Sequence, residues 1–384
     1  MKQLTENPYF VAVGGMLALI TAMGIGRFVY TPILPFMVTE LGLSKADAGL
    51  IASANFLGYL VGALAAASSR LPGSQLSWFF SALAVSATST MVMAIPDGII
   101  AFLAWRFIGG VASAFVLVFS SVLILDRLET LGKPALSAVH FAGVGCGIAL
   151  SAILVSSASI GENHWRDLWL VSGAAAVICA LLAFWLVPKE RVVARSGDTP
   201  LKSEADPRLK YFIVAYGLFG FGYVITATFI SDLVRNSDSL QPIEPYIWLA
   251  VGIGAIPSVW FWTAVGRRWG NDLSFAIALV VEAVSVALSV LSDIPVLIVV
   301  AALLLGATFM GITALGLINA RLLSRGDPRR MLALMTAAFG FGQMIGPSFA
   351  GYIFDISASY LAPSIIASAA LVAAAALAIR TRRQ

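Results

Sequence analysis

The chain has 384 residues, of which 59% are hydrophobic and only 11% charged, and its mean hydropathy is +0.92. That composition excludes a water-soluble globular domain and points to a multi-pass membrane protein. The net charge is +4, and the two cysteines, Cys146 and Cys179, fall inside apolar runs, where they read as packing residues and not as a disulfide framework.

A spanning helix needs roughly 20 apolar residues. On that basis the sequence predicts twelve spans, near 8–36, 46–68, 76–95, 98–124, 135–158, 167–187, 211–233, 245–265, 273–291, 295–320, 331–354 and 360–379. The first is too long, and too free of a small-residue cleavage site, to be a removed signal peptide. The polar stretch "PKERVVARSGDTPLKSEADPRLK" separates six spans from six. The expected organisation is therefore an N-terminal bundle over 1–187, a linker over 188–210 and a C-terminal bundle over 211–384.

With both termini cytoplasmic, nineteen of the twenty-four Lys and Arg residues fall in cytoplasmic segments, and three, Lys45, Arg166 and Arg235, fall outside. The positive-inside rule then sets the orientation of a multi-pass protein of the cell's inner membrane. The basic runs at Arg329 and Arg330, and at Arg380, Arg382 and Arg383, serve as topology signals, so no nucleic-acid partner is expected.

The halves repeat. An offset of 196 sets Gly24 and Gly26 on Gly220 and Gly222, and Gly58 on Gly254; an offset of 197 sets Gly109 on Gly306, and Gly143 and Gly145 on Gly340 and Gly342. Helices in lipid gain nothing by hiding apolar surface from one another, so close approach needs small residues at the contact. Pairs four apart, such as Gly58 and Gly62, Gly143 and Gly147, or Gly342 and Gly346, supply it.

These features resemble the major facilitator superfamily (MFS), whose members are all-α membrane proteins with two pseudo-symmetric six-helix bundles around a central cavity. The family's loop after helix 2 is matched by Gly62, Leu64, Ala65 and Arg70, with Ala66 in place of the usual Asp, and the copy after helix 8 keeps Gly266, Arg267 and Arg268, with Thr263 at the acidic position. "RFIGGVASA", beginning at Arg106, resembles the helix 4 motif. A Gly-Pro pattern normally found on helix 5 of antiporters lies instead on helix 11, through Gly342, Gly346, Pro347 and Gly351, so it is not read as a sign of antiport. "GIGRFVYTPILPFM", "HFAGVGCGIALS" and "GFGYVITATF" are similar to the YbfB/YjiJ-type branch. The resemblance implies a transporter working by alternating access, with helices 1, 4, 7 and 10 lining the cavity.

Two basic residues lie within spans, Arg27 and Arg106, each roughly 12 to 14 Å below the outer boundary at 1.5 Å per residue. An intramembrane charge costs several kcal/mol and marks a pathway. Arginine does not shed its proton, and of the twenty acidic residues only Glu282 lies well within a span. Both guanidinium groups meeting in one cavity would make a site for a small organic anion; the alternative for Arg106 is a brace on the carbonyls of a broken helix. Gly24, Gly26, Pro32 and Pro35 predict a loosened helix around Arg27.

Further candidates for the substrate site are Tyr223, at the repeat position of Arg27, Asn55, Gln343 and the aromatic Tyr30. His140, Asp232 and Glu282 are candidates for proton coupling, with Glu282 alternatively a packing or lipid-facing residue. A rival function is export of hydrophobic compounds through a cavity lined by Phe28, Tyr30, Phe219 and Phe221. The chain has two histidines and no H-E-x-x-H, G-x-S-x-G or Walker sequence, so no enzyme, metal or cofactor is expected, and the protein is expected to act as a monomer.

Overall fold

The computed structural model describes residues 7–68, 71–158, 164–188, 208–323 and 328–380, and Arg70 and most of the 188–210 linker lie outside them. The described residues are almost wholly helical. In chain order they form α1 (Pro8–Leu19), a π-helical turn (Ile20–Ile25), α2 (Tyr30–Leu41), α3 (Lys45–Ala66), α4 (Gln75–Val92), α5 (Ile99–Thr130), α6 (Ser137–Ala158) and α7 (Trp165–Leu186). There follow α8 (Leu209–Arg235), α9 (Glu244–Trp269), α10 (Asn271–Leu291), α11 (Pro295–Leu323), α12 (Pro328–Ser357) and α13 (Leu361–Ile379). Taking α1, the π turn and α2 as one crossing, ten of these elements are long and apolar enough to span a membrane. The two below that mark are α4 and α12. In α4 the shortfall comes from its serines and threonines, whose hydroxyls bond back to carbonyls one turn earlier, as Thr88 does to Ala84 at 2.9 Å and Thr90 to Ser86 at 2.8 Å.

The first span differs from the expected continuous helix. Its middle is under-wound: the Gly26 N–H donates to the Thr21 carbonyl at 2.8 Å and the Phe28 N–H to the Met23 carbonyl at 3.2 Å, both five residues back. Residues 26–29 are then non-helical before α2 begins. Pro32 has no N–H to give and Pro35 lies within α2, while Gly24 and Gly26 permit close packing of the turn, since a Cβ on Gly24 would strike Gly147 and one on Gly26 the Ser86 hydroxyl.

The chain forms two compact units, one from 1–43 with 54–194 and the other from 44–53 with 195–384. The helix α3 is divided between them after Ser53, a boundary that no change of composition marks in the sequence. Within the first unit α1 and the π turn pack on α6, and α4 on α5 and α7; its core includes Val11, Phe79, Phe119, Ile124 and Leu128. Within the second, α9 packs on α11, α12 on α8, and α13 on α8 and α10.

Glycine permits the tightest of these contacts. A Cβ on Gly58 would strike the Phe107 carbonyl and one on Gly110 the Asn55 carbonyl; in the second unit a Cβ on Gly254 would strike the Leu303 carbonyl and one on Gly306 the Val251 carbonyl. All four residue pairs are related by the single offset of 196. The internal repeat is thus a repeat of helix contacts, and it places Gly306 opposite Gly110, not opposite Gly109 as the glycine register alone suggests.

Candidate functional site

Arg27 sits on the non-helical stretch between the π turn and α2, and it is 3% exposed. Its guanidinium carbon lies 4.3 Å from the Tyr59 ring centroid, 4.7 Å from Phe56 and 5.3 Å from Phe28. Aromatic faces attract the cation. Nε and Nη2 have no hydrogen-bond partner, and no carboxylate of the described residues pairs with Arg27. A permanent charge is therefore held in an aromatic cage with two donors unused.

Arg106, 4% exposed on α5, is differently placed. Its Nη1 donates to the Gly26 carbonyl at 3.0 Å and its Nη2 to the Arg27 carbonyl at 2.9 Å, so the planar fork braces the broken backbone. Its guanidinium carbon lies 5.0 Å from the Tyr30 ring and 5.9 Å from Trp169, and the Asn55 side-chain amide donates to the Arg106 carbonyl at 2.9 Å. The two arginines are neighbours, as equal depth suggests, but they do not offer two free forks to one anion. Arg106 spends its ends on backbone carbonyls; Arg27 has donors to spare. Tyr30 and Asn55 belong to the brace, while the cage residues Phe56 and Tyr59 escaped sequence reasoning, although Asn55 and Tyr59 lie one turn apart on α3.

In the second unit the Gln343 amide donates to the Tyr223 hydroxyl, so these two separately chosen candidates meet, and the Gln343 Oε1 has no partner. The Tyr223 ring is within 8° of parallel to Phe309 and 4° of Phe339, at centroid distances of 5.7 and 6.0 Å, and Phe219 and Tyr216 extend the cluster.

Asp232 is 1% exposed and fully engaged: Oδ1 accepts from Lys45 Nζ at 2.6 Å and Oδ2 from the Tyr360 hydroxyl at 2.7 Å. Asp355 accepts the Lys45 and Ala46 N–H groups, each at 3.0 Å, capping the first turn of α3. Lys45, read from the sequence as a surface charge outside the membrane, is instead a buried partner of Asp232. The only sequence signal was that an acid one turn from the end of α8 needs a base. His140 packs against Gly15 of α1, and Glu282 is wholly buried, which removes the lipid-facing reading.

Of the motif residues, Gly62 packs on Val111 and Ala114, Gly266 on Asn271 and Leu315, and Gly346 on Val224 and Phe221. Pro347 is buried within α12, its carbonyl facing Gly49, whereas Arg267 and Arg268 are exposed.

The sequence profile of the family described as "Uncharacterised MFS-type transporter YbfB" matches residues 19–379. The chain belongs to this family of MFS transporters. It is similar to a protein of Streptomyces lividans named "Chloramphenicol resistance protein", with 25% identity over 93% of this chain and 92% of that protein. It is also similar to the "Uncharacterized MFS-type transporter YcaD" of Salmonella heidelberg, with 23% identity over 95% and 94%. Among solved structures it resembles the nucleoside transporter NupG, with a TM-score of 0.69, 16% identity and coverage of 96% of this chain and 98% of that one. A bacterial homologue of the human lysosomal transporter Spinster, inward-facing and unoccupied, gives 0.70, with 15% identity and 98% and 99% coverage. At these identities the solved structures establish the fold alone, the all-α MFS fold.

Proposed function

We propose that this transporter carries a small organic anion with an apolar or aromatic body across the inner membrane by alternating access, with both termini in the cytoplasm, and that Arg27 is its principal anion contact. The observation that carries the reading is the buried guanidinium whose Nε and Nη2 lack partners and which no carboxylate of the described residues balances. Leaving such a charge unpaired costs more than any gain it brings to folding. A carboxylate or sulfonate on the ligand supplies the missing counter-charge, and the rings of Phe28, Phe56 and Tyr59 favour an apolar body beside it.

The second reading, export of hydrophobic compounds, is favoured by a separate observation: the Tyr216, Phe219, Tyr223, Phe309 and Phe339 cluster, taken with the name of the Streptomyces relative. Proteoliposomes loaded with a panel of unlabelled carboxylates, sulfonates, neutral amides and cationic drugs separate the two readings. Counterflow of radiolabelled benzoate that is competed by the anions and lost in Arg27→Gln supports the first. Equal competition by neutral and charged compounds, unchanged in that variant, supports the second.

A further inference from the structure

Glu282 is 0% exposed, and neither carboxyl oxygen has a hydrogen-bond partner. Among the described residues it is a wholly buried acid without a partner, and the transport reading leaves it unused. Seven-residue steps keep side chains on one helix face, so Glu282 shares a face of α10 with Phe275 and Ser289. That face looks at α8 and α13. Phe275 packs on Phe212 of α8, with ring centroids 4.8 Å apart, and Ser289 lines a void of about 10 Å³ with Thr226, Phe229 and Leu233 of α8, with Tyr360 at the N-cap of α13 and with Ser364 in its first turn. Such a void has room for about a single water.

Three residues shared with a larger cavity join this void to the bundle end, and Thr226 carries it to the depth of the acid. Tyr360, Ser289 and Leu233 also line a cavity of about 260 Å³ that opens at the end of the unit where α8 and α10 finish and α13 begins, the end proposed above to face outward. The Thr226 hydroxyl at the void has no hydrogen-bond partner. Thr226 lies nine residues before the end of α8 and Glu282 nine before the end of α10, so at 1.5 Å per residue both are about 14 Å deep.

We propose that Glu282 is a proton-loading site of the transport cycle, reached from the outer end through a hydroxyl-lined file formed by Tyr360, Ser289, Ser364 and Thr226. A proton arriving from water in the outer cavity ends as an O–H on one Glu282 oxygen, converting carboxylate to carboxyl, and leaves by the reverse transfer. Among the described residues, the other charges on α8, α9, α10 and α11 lie toward the helix ends and not at this depth. On α8 the nearest charged side chain is Asp232, already held by Lys45 and Tyr360, and Arg321 of α11 and Arg380 after α13 sit at the opposite end of the unit. The proposal goes beyond the anion reading and shares no residue with it.

Infrared difference spectroscopy of the full-length protein in lipid, between acid and alkaline buffer and in light and heavy water, tests it. The expected result is a protonated-carboxyl band that titrates, shifts in heavy water and vanishes in the isosteric Glu282→Gln; Thr226→Val keeps the band and slows its isotope shift several-fold. A band that is missing in the wild type, that neither titrates nor exchanges, or that exchanges equally fast in Thr226→Val overturns it. Because no substrate is needed, loss of anion binding with this band intact counts only against Arg27, and the converse only against Glu282.

Discussion

Replacing each of the two buried arginines by methionine should move stability in different ways. Arg106 makes two charge-assisted hydrogen bonds, 3.0 and 2.9 Å, to the carbonyls at the break in the first span. Such bonds contribute about 1.5–3 kcal/mol each, so Arg106→Met should cost roughly 3 to 6 kcal/mol. Arg27 leaves Nε and Nη2 unpartnered, and its ring contacts contribute on the order of 2 kcal/mol against a desolvation penalty of several. Arg27→Met, which keeps the length and removes the charge, should therefore unfold at or above the wild-type temperature. Thermal unfolding of purified protein, followed by the loss of the monodisperse peak in detergent, measures both. Equal destabilisation by the two variants, or a fully stable Arg106→Met, would refute the division of labour between brace and ligand contact.

Other substitutions probe the frame around the site. Asp232→Asn leaves the Lys45 ammonium buried without its partner and should cost about 3–5 kcal/mol, while the double change Lys45→Met with Asp232→Leu should recover most of it; a thermal-shift double-mutant cycle reads the coupling. Gly306→Val pushes a side chain into the Val251 carbonyl and should destabilise by at least about 1–3 kcal/mol, as should Gly110→Val at the matching contact, both seen as a lower unfolding temperature. Tyr223→Phe takes away the acceptor of the Gln343 amide and should cost about 1–3 kcal/mol, a loss that the further change Gln343→Leu should partly reverse in the same unfolding assay.

The fold was legible because lipid imposes one pattern on spanning helices, long apolar stretches with small residues at the contacts, and both survive in the bare sequence. The loosened helix around Arg27 was legible for a similar reason: Pro32 and Pro35 remove backbone donors, and Gly24 and Gly26 lower helix propensity. What sequence could not supply is direction. Arg27 and Arg106 have the same residue type and depth, and only side-chain orientation shows that one fork is spent on carbonyls and the other is not. Lys45 was misread because charge counting treats residues at span boundaries as solvated, whereas Asp232 is 187 positions away and draws it inward. The cage residues Phe56 and Tyr59 were hidden among aromatics that look alike in any apolar helix. Glycine matching found the repeat but slipped by one residue at Gly109, since the contact that must be kept is with the Asn55 carbonyl, which faces Gly110.

The central claim is that Arg27 awaits a negative group. Its most direct test is the unfolding temperature of the purified protein with benzoate and with its neutral isostere benzamide, in wild type and in Arg27→Gln. The account predicts stabilisation by benzoate alone, and only while Arg27 is present; equal stabilisation by both compounds, or a benzoate effect that survives in Arg27→Gln, would contradict it.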